Sequence, residues 1–410
     1  MLGCQAHGQR TFGPPNRGRV RNGGAIATAV VAIASAGALA ACGSSASSAG
    51  SADGATSAGT SAVSLATSLS TAKDSWAVVP VSANPAFWEV LVRPAKSATW
   101  RLVTPPGVAD NGGLIAATSG SSLTVAIRPS QDLLFSPLAS TADAGTTWST
   151  GGPLSAGVAA SPGALAADGS NLLALLNDGA IMASANAGST WRTLAKPGAI
   201  AASPAGRGCG TVAVTSVTFG ITGSGVLAAG SCGTSGTTAI FAYSASGEWQ
   251  RMSLPVPGQL VRLAGGMALM RAKAGLTVLW DEMSGRYAYA PLASTGKSSS
   301  TANWGASAPL PVTGAVTASG ELAGATPAAD GAWVLLPGER AATIGGPGQQ
   351  WLLLPRVPAA AKALASGPNG AVDALAVSGV KVTVWRLVHG ATVWTKIQTI
   401  AVPVQYGSSS

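Results

Sequence analysis

Short runs of Val, Leu, Thr and Trp alternate with turn residues through most of this chain, and Gly and Pro recur too often to leave room for long helices. The pattern predicts an all-β fold. Leu172 to Leu176, the turn Asn177-Asp178-Gly179 and Ala180 to Ala185 read as one hairpin. Leu276 to Trp280 and Arg286 to Tyr289, joined through Met283-Ser284-Gly285, read as another.

A domain of about 330 residues made of short strands needs a plan that leaves few sheet edges open. A repeat supplies one. Tryptophan followed closely by proline recurs as Trp100 with Pro105, Trp148 with Pro153, Trp191 with Pro197, Trp249 with Pro255, Trp304 with Pro309, Trp351 with Pro355 and Trp394 with Pro403. The intervals between these tryptophans are 48, 43, 58, 55, 47 and 43 residues, and about 40 to 50 residues suits one four-stranded propeller blade. Seven marks predict a β-propeller of seven four-stranded blades. Tyr287 competes with Trp304 as a marker, so six or eight blades stay open. Trp76 in Asp74-Ser75-Trp76-Ala77-Val78-Val79 and Trp333 in Asp330-Gly331-Ala332-Trp333-Val334-Leu335 mark another recurring strand ahead of the marker tryptophan. They place the propeller at 74–405 and a tail at 406–410, with a strand from each end expected to share one blade and close the ring.

Two repeats carry a sharper pattern. Thr141-Ala142-Asp143-Ala144-Gly145-Thr146-Thr147-Trp148 and Ser184-Ala185-Asn186-Ala187-Gly188-Ser189-Thr190-Trp191 resemble the Asp-box, S/T-x-D/N-x-G-x-T-W, of sialidase-like (BNR) propellers. An Asp or Asn side chain there accepts hydrogen bonds from N–H groups of its own turn, and Gly two positions later takes φ > 0. The Trp then begins the next strand and fills the space between sheets. Other repeats keep less: Trp351 has Gly348 but Gly346 at the acidic position, and Trp249 and Trp394 keep little beyond the aromatic ring.

The N-terminus has a different character. A basic segment with Arg10, Arg17, Arg19 and Arg21 precedes an apolar run from Ala25 to Ala41, which is the layout of a secretory signal over residues 1–41. The run ends Leu39-Ala40-Ala41-Cys42-Gly43, which resembles the lipobox of bacterial lipoproteins. That resemblance implies cleavage before Cys42 and attachment of a thioether-linked lipid there, holding the protein to the outer face of the cell membrane. Residues 42–73 are almost wholly Ser, Ala, Gly and Thr. Such a tract buries too little apolar surface to offset its backbone entropy and reads as a flexible linker, spanning about 30 Å on average.

Loss of the signal changes the charge. The formal +9 falls to +5 when the four arginines ahead of Cys42 go, leaving 20 basic residues against 15 acidic. No Lys/Arg cluster interleaves with aromatics, so the sequence gives nucleic-acid binding no support. Charged residues make up 10% of the chain, against about 25% in ordinary globular proteins. Mean hydropathy is positive, yet no later window has the unbroken apolar length of a membrane span. Cys4 lies in the signal and Cys42 takes lipid, so Cys209 and Cys232 remain and are expected to pair in an oxidising compartment.

The Asp-box resemblance makes glycoside hydrolysis the obvious enzymatic reading. It implies an arginine cluster for a substrate carboxylate, a Tyr nucleophile with a Glu partner, and an Asp acid/base. The supply is thin. Val92-Arg93-Pro94 and Ile127-Arg128-Pro129 do not match the family's early Phe-Arg-Ile-Pro motif, and the mature domain offers five Glu (Glu89, Glu248, Glu282, Glu321, Glu339) and four Tyr, one being Tyr406 in the tail. Asp143 reads as a turn former, since Asn186 holds the equivalent place. His389 is the one mature histidine, too few for a zinc site and poor material for a Ser-His-Asp triad. Asp281-Glu282 lacks EF-hand spacing, and no phosphate-binding glycine loop is present. No catalytic residue, metal or cofactor is assigned.

These readings converge on a lipid-anchored, extracytoplasmic propeller that binds or assembles an envelope protein without catalysis. Similar propellers include photosystem II assembly factors, and by that analogy a scaffold role is expected. A divergent sialidase-like hydrolase or glycan-binding module is the alternative.

Overall fold

The computed structural model describes residues 67–70, 74–81, 87–105, 114–119, 122–127, 138–151, 162–210, 212–220, 225–233, 236–244, 246–281, 304–311, 322–323, 331–345 and 349–403. Residues 1–66, with Leu39, Ala40, Ala41 and Cys42, and residues 404–410, with Tyr406, lie outside them.

Seven four-stranded antiparallel sheets form a ring, a seven-bladed β-propeller, each sheet an up-and-down meander of continuous chain. Blade 1 takes β1 (Thr67–Ser70), β2 (Asp74–Val81), β3 (Phe87–Pro94) and β4 (Arg101–Leu102); blade 2 takes β5 (Leu114–Ser119), β6 (Ser122–Ile127), β7 (Leu138–Thr141) and β8 (Ser149–Thr150). Blade 3 takes β9 (Pro162–Asp168), β10 (Asn171–Leu176), β11 (Ile181–Ser184) and β12 (Arg192–Ala195). Two short helices, α1 (Ala199–Ala202) and α2 (Pro204–Arg207), lead to blade 4, with β13 (Val212–Phe219), β14 (Val226–Cys232), β15 (Thr237–Tyr243) and β16 (Trp249–Arg251). Blade 5 takes β17 (Gln259–Ala264), β18 (Met267–Ala272), β19 (Gly275–Asp281) and β20 (Trp304–Ala306); blade 6 takes β21 (Leu322–Ala323), β22 (Gly331–Leu336), β23 (Arg340–Ile344) and β24 (Leu352–Leu353). Blade 7 takes β25 (Ala361–Ser366), β26 (Val372–Ser378), β27 (Lys381–Leu387) and β28 (Thr395–Ala401). First strands meet one another around the ring, β1 with β25 and β5, β5 with β9, β9 with β13, and β13 with β17. They therefore line the axis, and the fourth strands form the rim.

A blade is apolar on both faces because each face meets a neighbour. In β10, Leu173 and Leu175 pack in the seam with blade 4, while Ala174 and Leu176 pack in the seam with blade 2. The period-2 alternation thus chooses between two cores, and the strand reads as the unbroken run Leu-Leu-Ala-Leu-Leu. Its hairpin to β11 pairs Leu175 with Ile181 across Asn177-Asp178-Gly179, where Gly179 has φ 86 and Ala180 N donates to Asp178 Oδ1 at 2.8 Å.

The marker tryptophans distribute one to a seam, each facing back onto the preceding blade. Trp100 lies between blades 7 and 1, Trp148 between 1 and 2, Trp191 between 2 and 3, and Trp249 between 3 and 4. Trp304 follows between 4 and 5, Trp351 between 5 and 6, and Trp394 between 6 and 7. Each stands at or just before the start of its blade's fourth strand. Trp76 and Trp333 both sit on second strands, β2 and β22. Trp304, placed in β20, is the marker of blade 5, which settles the count at seven.

Ring closure departs from the sequence reading. The terminal strands do not share a blade: β1 to β4 and β25 to β28 form two complete sheets. Side chains bridge them instead. Asp373 on β26 is fully buried, and it accepts from Arg386 Nε at 2.6 Å, Arg386 Nη2 at 2.8 Å and Trp100 Nε1 at 2.8 Å. Arg93 Nε of blade 1 stands 3.7 Å from the same carboxylate, and Arg93 Nη2 donates to Ser366 O of blade 7 at 2.9 Å. Gln398 brackets the Trp100 backbone, accepting from its N at 2.8 Å and donating to its O at 2.7 Å. One carboxylate between two guanidiniums therefore holds the seam where the first and last blades meet.

One further expectation is corrected. The propeller begins before residue 74, because Thr67–Ser70 pairs with β2 and buries Leu69; four residues of Thr, Ser and Leu are not distinguishable by composition from the Ser/Ala/Gly/Thr tract around them. The second strand of the hairpin expected between Leu276–Trp280 and Arg286–Tyr289 lies outside the described residues; β19 itself pairs with β18 and β20. Cys209 and Cys232 form a disulfide with Cα atoms 5.1 Å apart, fastening the segment after α2 to the end of β14. Among the described residues no helix is long and apolar enough to cross a membrane.

Removing one partner from a buried ion network leaves uncompensated charge, at a cost of about 3–5 kcal/mol. Asp373→Ala is therefore expected to lower the urea midpoint by that equivalent, whereas Glu339→Ala, which breaks the exposed Arg356 pair, shifts it by about 1 kcal/mol or less. Reduction of Cys209–Cys232, measured the same way, is expected to cost about 2–4 kcal/mol.

Candidate functional site

The β7–β8 and β11–β12 connections fold into the same turn. In the first, Thr141 Oγ1 donates to Asp143 Oδ1 at 2.8 Å and accepts from Gly145 N at 2.9 Å; Asp143 Oδ1 accepts from Thr147 N at 2.9 Å and Oδ2 from Thr147 Oγ1 at 2.6 Å. In the second, Ser184 Oγ bonds Asn186 Oδ1 at 3.0 Å and Gly188 N at 2.9 Å, Asn186 Oδ1 accepts from Thr190 N at 2.9 Å, and Asn186 Nδ2 donates to Thr190 Oγ1 at 2.9 Å. Gly145 and Gly188 take φ 79 and 86. A Cβ on Gly145 would stand 2.5 Å from Val103 of blade 1, so glycine is required there by contact as well as by conformation. Trp191 Nε1 donates to Gly188 O at 3.0 Å, tying the indole to its own turn.

Hydrogen bonds to the charged form hold the Asp143 carboxyl down, from its ordinary 3.8 to about 2, with the Thr147 hydroxyl the largest contributor, then Thr147 N and Thr141. A carboxylate so fixed is a poor proton donor near neutral pH. Asn186 makes the matching bonds without charge.

Between these turns lies a cleft of about 280 Å³, framed by blades 2 and 3. Hydroxyls of Ser122, Thr124, Ser140, Ser149, Thr150 and Ser189 line it, with Ala117, Ala167 and Leu172 at its apolar wall. Thr124 Oγ1 and Ser140 Oγ are 2.9 Å apart, and Ser149 Oγ donates to Ser140 O at 3.3 Å. Hydroxyls both donate and accept, so the lining suits a neutral polar ligand. Among the described residues, no His, Asp or Glu lines the cleft to activate a nucleophile. Sequence reasoning missed it: single Ser and Thr positions spread over β6, β7, β8 and a turn of the next blade carry no pattern.

The other candidates are dispersed. Arg93 is buried in the seam between blades 7 and 1, and Arg128 lies outside the described residues. Glu89, on β3, is half-buried and accepts from the Thr104 hydroxyl; burial raises its pKa, and Thr104 only partly opposes this. Glu339 pairs with Arg356 on the surface at 2.6 Å, and Glu248 is exposed in the turn before Trp249. Tyr243 packs against Trp249, ring centroids 5.0 Å apart. His389 is exposed at a turn of blade 7. Glu282, Glu321, Tyr287 and Tyr289 lie outside the described residues. No three His, Cys, Asp or Glu side chains among the described residues come together as a metal site would require.

No protein-family model matches the chain, and no curated protein matches it in sequence. Solved propellers do resemble it in structure. YCF48 from Cyanidioschyzon merolae is 15% identical over 78% of this chain and 92% of its own, with a TM-score of 0.42. A GH74 xyloglucanase from Xanthomonas campestris is 14% identical over 77% of this chain and 50% of its own, also at 0.42. A fucose-specific lectin from Aleuria aurantia is 12% identical over 83% and 97%, at 0.37. The likeness at this level is one of architecture, and the site's chemistry has to be argued from its own residues.

The sign of the Asp143 shift gives a pH test. A carboxyl whose folded pKa is depressed adds stability above its unfolded pKa and loses it as pH falls through the folded value. Stability is therefore expected to drop between pH 3.8 and about 2, and Asp143→Asn, which copies the second turn, is expected to lose less across that window in urea titrations.

Proposed function

We propose that the protein is a lipoprotein displayed on the outer face of the cell membrane, where its propeller serves as a non-enzymatic binding or assembly scaffold. The observation that carries this reading is what four acidic side chains of the described residues do. Asp143 is tied into a turn, Asp373 and both of its arginines hold the ring shut, Glu339 engages Arg356, and Glu89 engages Thr104. Their chemistry is spent on architecture. The finer family reading, a sialidase-like Asp-box propeller, rests on the two turns at Thr141–Trp148 and Ser184–Trp191.

Anchoring rests on Leu39-Ala40-Ala41-Cys42 and the Ser/Ala/Gly tract after it. In a bacterial host fed labelled palmitate, the wild-type chain is expected to incorporate label and begin at Cys42 by intact mass, while Cys42→Ser carries none. Label on Cys42→Ser, or a mature N-terminus elsewhere, overturns the anchor.

The hydroxyl-lined cleft favours a second reading, a glycan-binding module without hydrolysis. Fluorogenic sialosides and related glycosides are expected to give no turnover; turnover abolished by Tyr243→Phe would replace the scaffold reading with a hydrolase. Binding of a neutral oligosaccharide that weakens on Ser140→Val and Thr150→Val would assign the cleft.

A further inference from the structure

One level of the repeat is filled differently in blade 2. In every blade the residue after the marker tryptophan pairs with the third strand, whose residue in turn pairs with the second. The level so defined holds Arg101, Val92 and Trp76 in blade 1, Ser149, Ser140 and Thr124 in blade 2, and Arg192, Ala183 and Leu173 in blade 3. On the second strand it is occupied in five blades by Trp76, Leu173, Leu227, Met267 and Trp333, each packed into the seam with the blade that follows. Blade 7 places Asp373 of the ring-closing latch there. Blade 2 has Thr124, with Ser140 opposite.

Threonine is smaller than any of the five apolar side chains, and in blade 2 no ion network takes up the difference. The apolar core between blades 2 and 3 stops at Ala126 and Leu138, two residues along the strands from Thr124 and Ser140. All four residues of the level, Ala117, Thr124, Ser140 and Ser149, line the cleft instead. A seam left unfilled costs stability, and a departure of this kind from a rule kept elsewhere belongs with function.

We propose that Thr124 and Ser140 hold open a subsite for one uncharged sugar ring, an inference that deepens the glycan-binding reading and rests on it. The two hydroxyls bond each other at 2.9 Å. One hydroxyl hydrogen makes that bond, which leaves the other and the remaining lone pairs for a ligand that both donates and accepts. Ala117, Ala167 and Leu172 add an apolar part to the lining, and a pyranose presents C–H faces as well as hydroxyls. No charged side chain among the described residues lines the cleft; a charge taken from water without a partner is heavily penalised, which selects against acidic sugars. A volume of about 280 Å³ falls just short of the roughly 300–1,000 Å³ of sites for drug-sized ligands, which sets the size at a single ring. A peptide main chain offers one N–H and one C=O per residue along a line, a poorer match to hydroxyls gathered around one small space.

The test is ligand-observed NMR and calorimetry on the full chain. Its probes are the methyl glycosides of glucose, galactose, mannose and fucose, N-acetylneuraminate as a charged sugar, and a neutral tripeptide of glycine and serine. At least one neutral glycoside is expected to bind, and the other two probes are not. Thr124→Leu/Ser140→Ala, which copies Leu173 with Ala183, is expected to abolish that binding and to raise the urea midpoint. Thr124→Val keeps the volume and removes the hydroxyl, and is expected to weaken binding at least about threefold with the fold intact. Failure of every glycoside to bind, tighter binding of N-acetylneuraminate or the tripeptide, or unchanged binding by either variant overturns the proposal, as does a lower urea midpoint in the filled variant. Longer neutral oligosaccharides that bind the filled variant as they bind its parent leave the glycan-binding reading standing and remove it from this cleft.

Discussion

A sheet that must be covered on both faces is the constraint from which this molecule follows. No blade owns a core; each of the seven clusters is assembled from two blades, so none is complete until its neighbour is in place. One marker indole per seam adds a large apolar volume at the point where the fourth strand begins. Small residues such as Ala77, Ala228 and Ala374, all fully buried, fill the middle strands and let sheets approach.

That constraint explains which parts of the fold were legible. Tryptophan at intervals of 43 to 58 residues could be read because each blade solves the same packing problem in the same place. Strand β1 could not, because Thr-Ser-Leu-Ser pairs only with β2 and resembles in composition the Ser/Ala/Gly/Thr tract that precedes it. Closure was missed for another reason. Asp373 within Val372-Asp373-Ala374-Leu375 is a charge inside an apolar strand, which signals a partner, but the partners Arg93, Trp100 and Arg386 are named only by three-dimensional proximity.

The candidate site divides along the same line. The two turns are local, their hydrogen bonds made within eight residues, so sequence pattern and geometry travel together. The cleft beside them is composed of residues from separate strands of two blades and leaves no trace at any fixed spacing. The repeat describes what lies within a unit, whereas the cleft arises between two.

Because every sheet is cut from one uninterrupted stretch of chain, the order of blades around the ring is independent of where the polypeptide starts. With the first and last blades joined by a spacer, new termini opened at an inter-blade link would leave all seven sheets whole. The side-chain latch around Asp373 does at one seam what a covalent link does at the others, so the break in the polypeptide could be moved around the ring without dividing a sheet.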